Sequence, residues 1–446
     1  MSARRIDKTT APESAGAEIA ARLRRLEGGG LRTFAEDPPL VWDRAEGCWI
    51  YDADGKAYLD LYGGFAVAAI GYGHPKVVAA IRDQAGRLMH CPSAHPSRVR
   101  AEFLEALASI APAGLDRFLP AMSGAMANEI AIALARTRGG GEIVTFSGSY
   151  FGRSAGTVGF AGKARYREAL GLPPAAHFVP FPYPLRLGER ATDISLEALE
   201  RMAAPAGGVG RIAAVVLEPI QGNGGVVIPP PDFLRRVRAF CDRTGALMIV
   251  DEIQSGCGRT GRMWAVQHAG VTPDLMTVGK GIGGGVAVAA VMGRADLMTW
   301  PPDSYTSTFL TNNLNLAAAV AAIGVLRDER LAERAARLGQ SALARLAAAL
   351  DGVPGVAEVR GCGLWFGVEL AGHDGRPAAA CAAAILRRLR DQGVIVGRGG
   401  YDDNVIKLSP PLVIEDALLA RGLDQVAGTI AAEMRTDEKR AREVSQ

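Results

Sequence analysis

The chain lacks several features that would decide its class at once. No apolar run approaches the ~20 residues that a membrane-spanning helix needs, so no membrane partner is expected. The opening residues, MSARRIDKTTAPESAG, contain no apolar signal-peptide core, and Asp7 and Glu13 argue against an organelle transit peptide. A soluble, cytoplasmic protein is the expectation. Six cysteines (Cys48, Cys91, Cys241, Cys257, Cys362, Cys381) are scattered without a C-x-x-C pair. That spacing argues against a metal or redox site and for reduced thiols. Lys and Arg number 50 against 47 Asp and Glu, a net charge of +3. So even a balance creates no field that would recruit nucleic acid. Aromatics, at 6%, offer no evident platform for stacking bases.

Apolar side chains are plentiful: at 48% of 446 residues they suffice for a large core or two domains. The informative stretch is Ala246–Gly285, where Ala246–Val250 ends in Asp251 and Leu275–Val278 ends in Gly279-Lys280-Gly281. Short Val/Ile/Leu/Met runs with polar or Gly ends read as buried parallel strands. In open α/β sheets, ligands sit beyond the carboxyl ends of such strands. A carboxylate and an amine are thus placed where a cofactor would lie. Pyridoxal phosphate needs both: a Lys for a Schiff base with its aldehyde, and an acid that keeps its ring nitrogen protonated. An isolated Lys is ordinarily solvated, but here glycines flank it and a distinctive string precedes it. A phosphate-binding P-loop is excluded, because Asp274 and Gly281 stand where that motif needs Gly and Ser or Thr.

The strings DEIQSGCGRTGRMWA and PDLMTVGKGIGGG resemble the signature of class III aminotransferases, which are fold type I pyridoxal phosphate enzymes. That family separates its ring-nitrogen Asp and its Lys by 29 residues, as Asp251 and Lys280 are separated here. The resemblance runs from about Leu31 to Met434. It implies an α/β fold: a large domain with a mixed, mostly parallel sheet between helices, and a small α+β domain built from both chain ends. The corresponding division is a tail over 1–30, small domain over 31–70, large cofactor domain over 71–325, small domain again over 326–434 and a solvated tail over 435–446.

Local patterns give the elements. Glu18–Leu26 suits a short helix broken by Gly28-Gly29-Gly30, and Trp49–Tyr51 with Ala57–Leu61 suits a β-hairpin around DADGK. His74 before Pro75 suits a helix start better than a catalytic base. Ala101–Ile110 reads as helix, and Arg117–Pro120, Glu142–Phe146 and Ile212–Leu217 as strands. A long Ala-rich helix is expected after Leu316. Ser123-Gly124-Ala125 opens another Ala-rich helix, whose free N–H groups and dipole make an anion site; the family grips the cofactor phosphate there. The resemblance further implies Tyr150 stacked on the cofactor ring, Glu218 near its inner edge and Gln254 at its phenolic oxygen. It also implies that Thr308 completes the neighbouring subunit's site, hence a homodimer. Arg153 serves as a carboxylate reader in some relatives; a surface Arg is the alternative reading. Cys257 reads as a small packing residue.

Two departures bear on the substrate. Many relatives carry a Glu where this chain has Asn223 and an Arg where it has Lys407, a pair that gates ω-amino-acid substrates. Lys cannot supply the bidentate fork of Arg, so the gate is expected to be absent and the second substrate to be bulky, with Phe65 lining its pocket. The strings SGAMANE and STFLTNN, with DEIQSGCGRTGRMWA, are most similar to a branch that aminates oxidised aminoglycoside sugars, with glutamate as amine donor and the sugar carbonyl as acceptor. Elimination from a phosphorylated amino sugar uses the same cofactor machinery and stays open at this level, as does an ordinary ω-amino-acid or diamine transaminase.

Overall fold

The computed structural model describes residues 14–35, 38–206, 208–372 and 374–444. Residues 1–13 of the expected N-terminal tail, and residues 445–446, lie outside them. A seven-stranded sheet organises the chain. Its strands are β1 (Arg117–Ala121), β2 (Glu142–Phe146), β3 (His177–Val179), β4 (Ile212–Leu217), β5 (Leu247–Asp251), β6 (Leu275–Val278) and β7 (Ala289–Gly293). They lie in the order β1-β7-β6-β5-β4-β2-β3. The run from β6 to β3 is parallel, and β7 is antiparallel to both of its neighbours. Every residue of β4, β6 and β7 is buried. Helices cover such strands on both faces, so they carry apolar runs rather than alternation.

The hairpin expected near the N-terminus is present, with Trp49 opposite Leu59 and Ile50 opposite Tyr58. Asp52 Oδ1 closes its turn by accepting the N–H groups of Asp54 and Lys56. A short strand from the other chain end, Val394–Ile395, joins this sheet in parallel beside Ala57–Asp60. A second sheet combines Val356–Gly361, Phe366–Leu370, Val405–Leu408 and Gly397–Gly399.

His74 is the N-cap of the helix Pro75–Arg87, accepting the Lys76 N–H on Nδ1 at 3.3 Å. The Ala-rich helix expected after Leu316 starts earlier, at Asn313, because Asn312 Oδ1 caps it through the Asn315 N–H. Thr311 and Asn313 tie that entry to the carbonyls of Cys91 and Leu88. The final helix, Asp416–Val444, continues past Met434 into the segment expected to be a solvated tail. No breaker interrupts it, and the Thr436 hydroxyl bonds back to the Ala432 carbonyl.

Gly339, in the helix Leu331–Leu350, faces Gly363, whose backbone is left-handed at φ +58°. A Cβ at position 339 would press into the Gly363 carbonyl. Helix propensity favours Ala by about 1 kcal/mol, whereas overpacking against unyielding backbone costs about 1–3 kcal/mol. Gly339→Ala is therefore expected to lower stability by roughly 1–2 kcal/mol in denaturant melts; a variant more stable than the parent would contradict this packing.

Candidate active site

Asp251 closes β5 and is buried. A buried carboxylate needs donors, and two are supplied. Ile253 N–H donates to Oδ1 at 2.8 Å, and Asn128 Nδ2 donates to Oδ2 at 2.8 Å. Asn128 is fixed in turn, accepting the Thr277 hydroxyl at 2.8 Å and donating to the Phe151 carbonyl at 3.0 Å. One amide thus connects the helix Gly124–Arg136 to the ends of β5 and β6. Burial pushes the Asp251 carboxyl up to about 6, against the pull of Asn128, Ile253 and Lys280. A cation placed beside it would restore the anion.

Lys280 follows β6 and adopts φ +45°, a strained backbone for a side-chain-bearing residue. Enclosure lowers its pKa, while the Asp251 and Glu218 carboxylates oppose that shift. Glu218 follows β4 and accepts the Tyr150 N–H at 3.0 Å and the Gly222 N–H at 2.9 Å. Burial first, then the Asp251 charge, push the Glu218 carboxyl up to about 8.

Opposite these groups, Ser123 caps the helix Gly124–Arg136, its Oγ accepting the Met126 N–H at 3.2 Å. The N–H groups of Gly124 and Ala125 stand in the first turn, where no intrahelical acceptor exists. Gly124 packs so closely on Ile253 that a Cβ would lie 2.7 Å from its Cδ1. Gly152, at φ +121°, similarly crowds Ala125, with 2.6 Å left for a Cβ. Tyr150 meets Tyr166 edge-on at 5.8 Å, and the Arg153 guanidinium lies over the Tyr166 ring at 3.9 Å.

These elements enclose a cavity of about 280 Å³. It brings together Gly124, Ala125, Tyr150, Arg153, Glu218, Asp251, Gln254 and Lys280 from the sequence-predicted set, and adds Asn128. Sequence reasoning passed over Asn128. The available signal was one amide on the buried face of an Ala-rich helix, four residues after Gly124. Ser123 does not line the cavity; it is the cap of the helix that does. Phe65, Asn223, Thr308 and Lys407 do not line it. Phe65 is 55% exposed at φ +66° and packs on Tyr62. Thr308 is exposed. Asn223 Nδ2 donates to the Tyr166 hydroxyl at 3.2 Å, and Lys407 Nζ donates to the Gly222 carbonyl at 3.0 Å. Cys257 is buried, and burial pushes its thiol up to about 12, which suits packing. A larger cavity, about 500 Å³, lies among the helices Pro75–Arg87, Arg98–Ala108 and Asn313–Asp328, but no strand end delivers a side chain into it.

An oriented buried carboxylate, a low-pKa amine, an aromatic ring and an anion cradle on one cavity are the requirements of a fold type I pyridoxal phosphate enzyme, and the residues fit that cofactor. Residues 33–430 match the family model of class-III aminotransferases, and the chain belongs to that family. Its cofactor is pyridoxal 5′-phosphate. The chain is 37% identical over 442 residues to a diaminobutyrate–2-oxoglutarate aminotransferase of Rhizobium meliloti (strain 1021), covering 94% of this chain and 93% of that one. It is 38% identical over 404 residues to an acetylornithine aminotransferase of Methanothermobacter thermautotrophicus, covering 90% and 96% respectively. Among solved structures it is similar to a thermostable (S)-enantioselective ω-transaminase from Thermomicrobium roseum, with a TM-score of 0.85, 30% identity and coverage of 94% and 99%.

The raised Glu218 pKa has a stability consequence in cofactor-free protein. From its ordinary value of 4.5 up to about 8, native Glu218 holds its proton better than the unfolded chain does. Its contribution is therefore complete at low pH and lost as pH rises through 8. Glu218→Gln is expected to flatten the stability profile between about pH 6 and 8, by on the order of a few kcal/mol. Urea melts across that range check it, and an unchanged slope would contradict the assignment.

Proposed function

We propose that this aminotransferase takes its amino group from L-glutamate and delivers it to the carbonyl of a bulky acceptor without an ω-carboxylate, an oxidised aminoglycoside sugar being the candidate. The observation carrying this reading is the placement of Asn223 and Lys407. Both are turned onto protein groups, Tyr166 and Gly222, and neither lines the cavity. No Glu–Arg pair stands there to admit or read an ω-carboxylate.

When bound, pyridoxal phosphate supplies an electron sink for the pair left on the substrate carbon. The protein's own part follows from the geometry. With the cofactor bound, the Lys280 amine would be the group that moves a proton at the substrate carbon, an acid–base role worth roughly 10²–10⁴-fold. Asp251, oriented by Asn128, would accept a charge-assisted hydrogen bond from the protonated ring nitrogen, worth about 1.5–3 kcal/mol. The N–H groups of Gly124 and Ala125 would hold the phosphate. Tyr150 would cover a ring face, and Gln254 would hold the phenolic oxygen. Arg153, held by its stack on Tyr166, presents a planar fork to the glutamate α-carboxylate. Exposed Thr308 serves the phosphate of a second copy in a homodimer. A cytoplasmic location accords with the unpaired cysteines.

The relatives named for diaminobutyrate and acetylornithine favour a second reading, in which a small diamine or ω-amino acid is the partner. The visible absorbance of the holoenzyme separates the two. L-glutamate and neamine are each expected to bleach it, with 2-oxoglutarate released from the first. Bleaching by glutamate and by diaminobutyrate or 4-aminobutyrate, but not by neamine, would replace the bulky acceptor with a small one.

A further inference from the structure

Lys407 is a buried cation that the chemistry above does not use. It sits in the strand Val405–Leu408, opposite Gly367 on one side and Gly397 on the other. It is 3% exposed, and among the described residues no carboxylate pairs with it. Its stem lies against Gly399, where a Cβ would come within 3.0 Å of Cδ and Cε. Its Nζ lies 5.8 Å from the centre of the Tyr62 ring. Its Nζ donates to the Gly222 carbonyl. The N–H of that same residue donates to Glu218 Oε2. A Cβ on Gly222 would collide with Gln254 Oε1, so the turn also abuts the second cofactor-side group.

This turn needs holding. Val226 is β-branched yet adopts φ +56°, a conformation that costs of order 1–3 kcal/mol and persists only when its surroundings over-determine it. The neighbouring sheet and the turn between two of its strands provide the restraint. Arg360 donates to the Gly225 carbonyl at 2.7 Å and the Val226 carbonyl at 3.0 Å. Gly400 N–H donates to the Asn223 carbonyl at 3.2 Å, and the Tyr401 hydroxyl to Gln221 Oε1 at 2.9 Å. Lys407 is the member of this set nearest the chemistry, one residue away from Glu218 along the hydrogen-bond chain.

We propose that Lys407 is a positioning residue: a fixed post that pins the Gly222 turn and thereby sets Glu218 and Gln254 against the cavity, rather than a group that reads substrate. The inference rests on the aminotransferase activity and deepens the reading of an ungated site. Burial pushes the Lys407 ammonium down to about 7, which accords with a post, since the neutral amine donates to a carbonyl as the ammonium does.

The test is Lys407→Met in the holoenzyme, which keeps the stem and removes the donor. Amide exchange in residues 221–226 is expected to quicken about tenfold or more. In the glutamate half-reaction, kcat is expected to fall about tenfold or more while KM stays within about threefold, because a transition-state arrangement is lost and a ground-state contact is not. If the Met variant does not fold, Lys407→Gln, which retains a weakened donor, is expected to show the same pattern at smaller amplitude. Unchanged exchange with any kinetic outcome, or faster exchange with kcat unchanged, overturns the proposal. So does a tenfold or larger rise in KM with kcat preserved, which would make Lys407 a substrate reader. Wild-type preference among amines is measured separately, so a preference for ω-amino acids would remove the bulky acceptor and leave this role standing.

Discussion

The hydrogen bond between Asn128 and Asp251 is the point on which the site turns. A carboxylate buried at a strand end is costly unless oriented donors replace its water. Asn128 meets that need from a helix and spends its remaining capacity on Thr277 and Phe151. Four segments that are distant in sequence therefore share one amide. The parallel pairing of β5 with β6 sets Asp251 opposite Thr277. Lys280 emerges three residues further on, so the acid and the amine share one sheet edge.

The two ionisable ends of the cavity are adjusted in complementary directions. Enclosure raises the Asp251 and Glu218 carboxyls and lowers the Lys280 ammonium. An amine that gives up its proton readily can act as nucleophile and as base. A raised carboxyl is returned to its anionic form by a protonated ring nitrogen beside it. Backbone strain is placed at the same edge, at Lys280 and at Val226. In the second case Arg360, Gly400, Tyr401 and Lys407, from a neighbouring sheet and the turn between two of its strands, tie the segment in place.

Much of this was legible in the sequence, for an identifiable reason. β4, β5 and β6 are buried runs ended by a polar or Gly residue, so Glu218, Asp251 and Lys280 mark themselves. The Ser123 cap and the Pro75 helix start are local chemistry and were equally readable. Asn128 was not, because a single Asn in an Ala-rich helix shows its importance only when β5 and β6 are brought against it. Lys407 was readable as a departure from relatives but not as a direction. All four residues of its strand are buried, so alternation could not say where the amine points. The extension of the last helix past Met434 was missed because its charged residues resemble a solvated tail while still being good helix formers.

The central claim is that Lys280 is the amine that holds pyridoxal phosphate beside Asp251. Borohydride reduction of the holoenzyme, followed by tryptic digestion and peptide mass spectrometry, tests it most directly. The account predicts a pyridoxyl adduct on the peptide Met263–Arg294, with cleavage blocked at Lys280. An adduct on Lys163, Lys407 or any other lysine, with Lys280 unmodified, would contradict it.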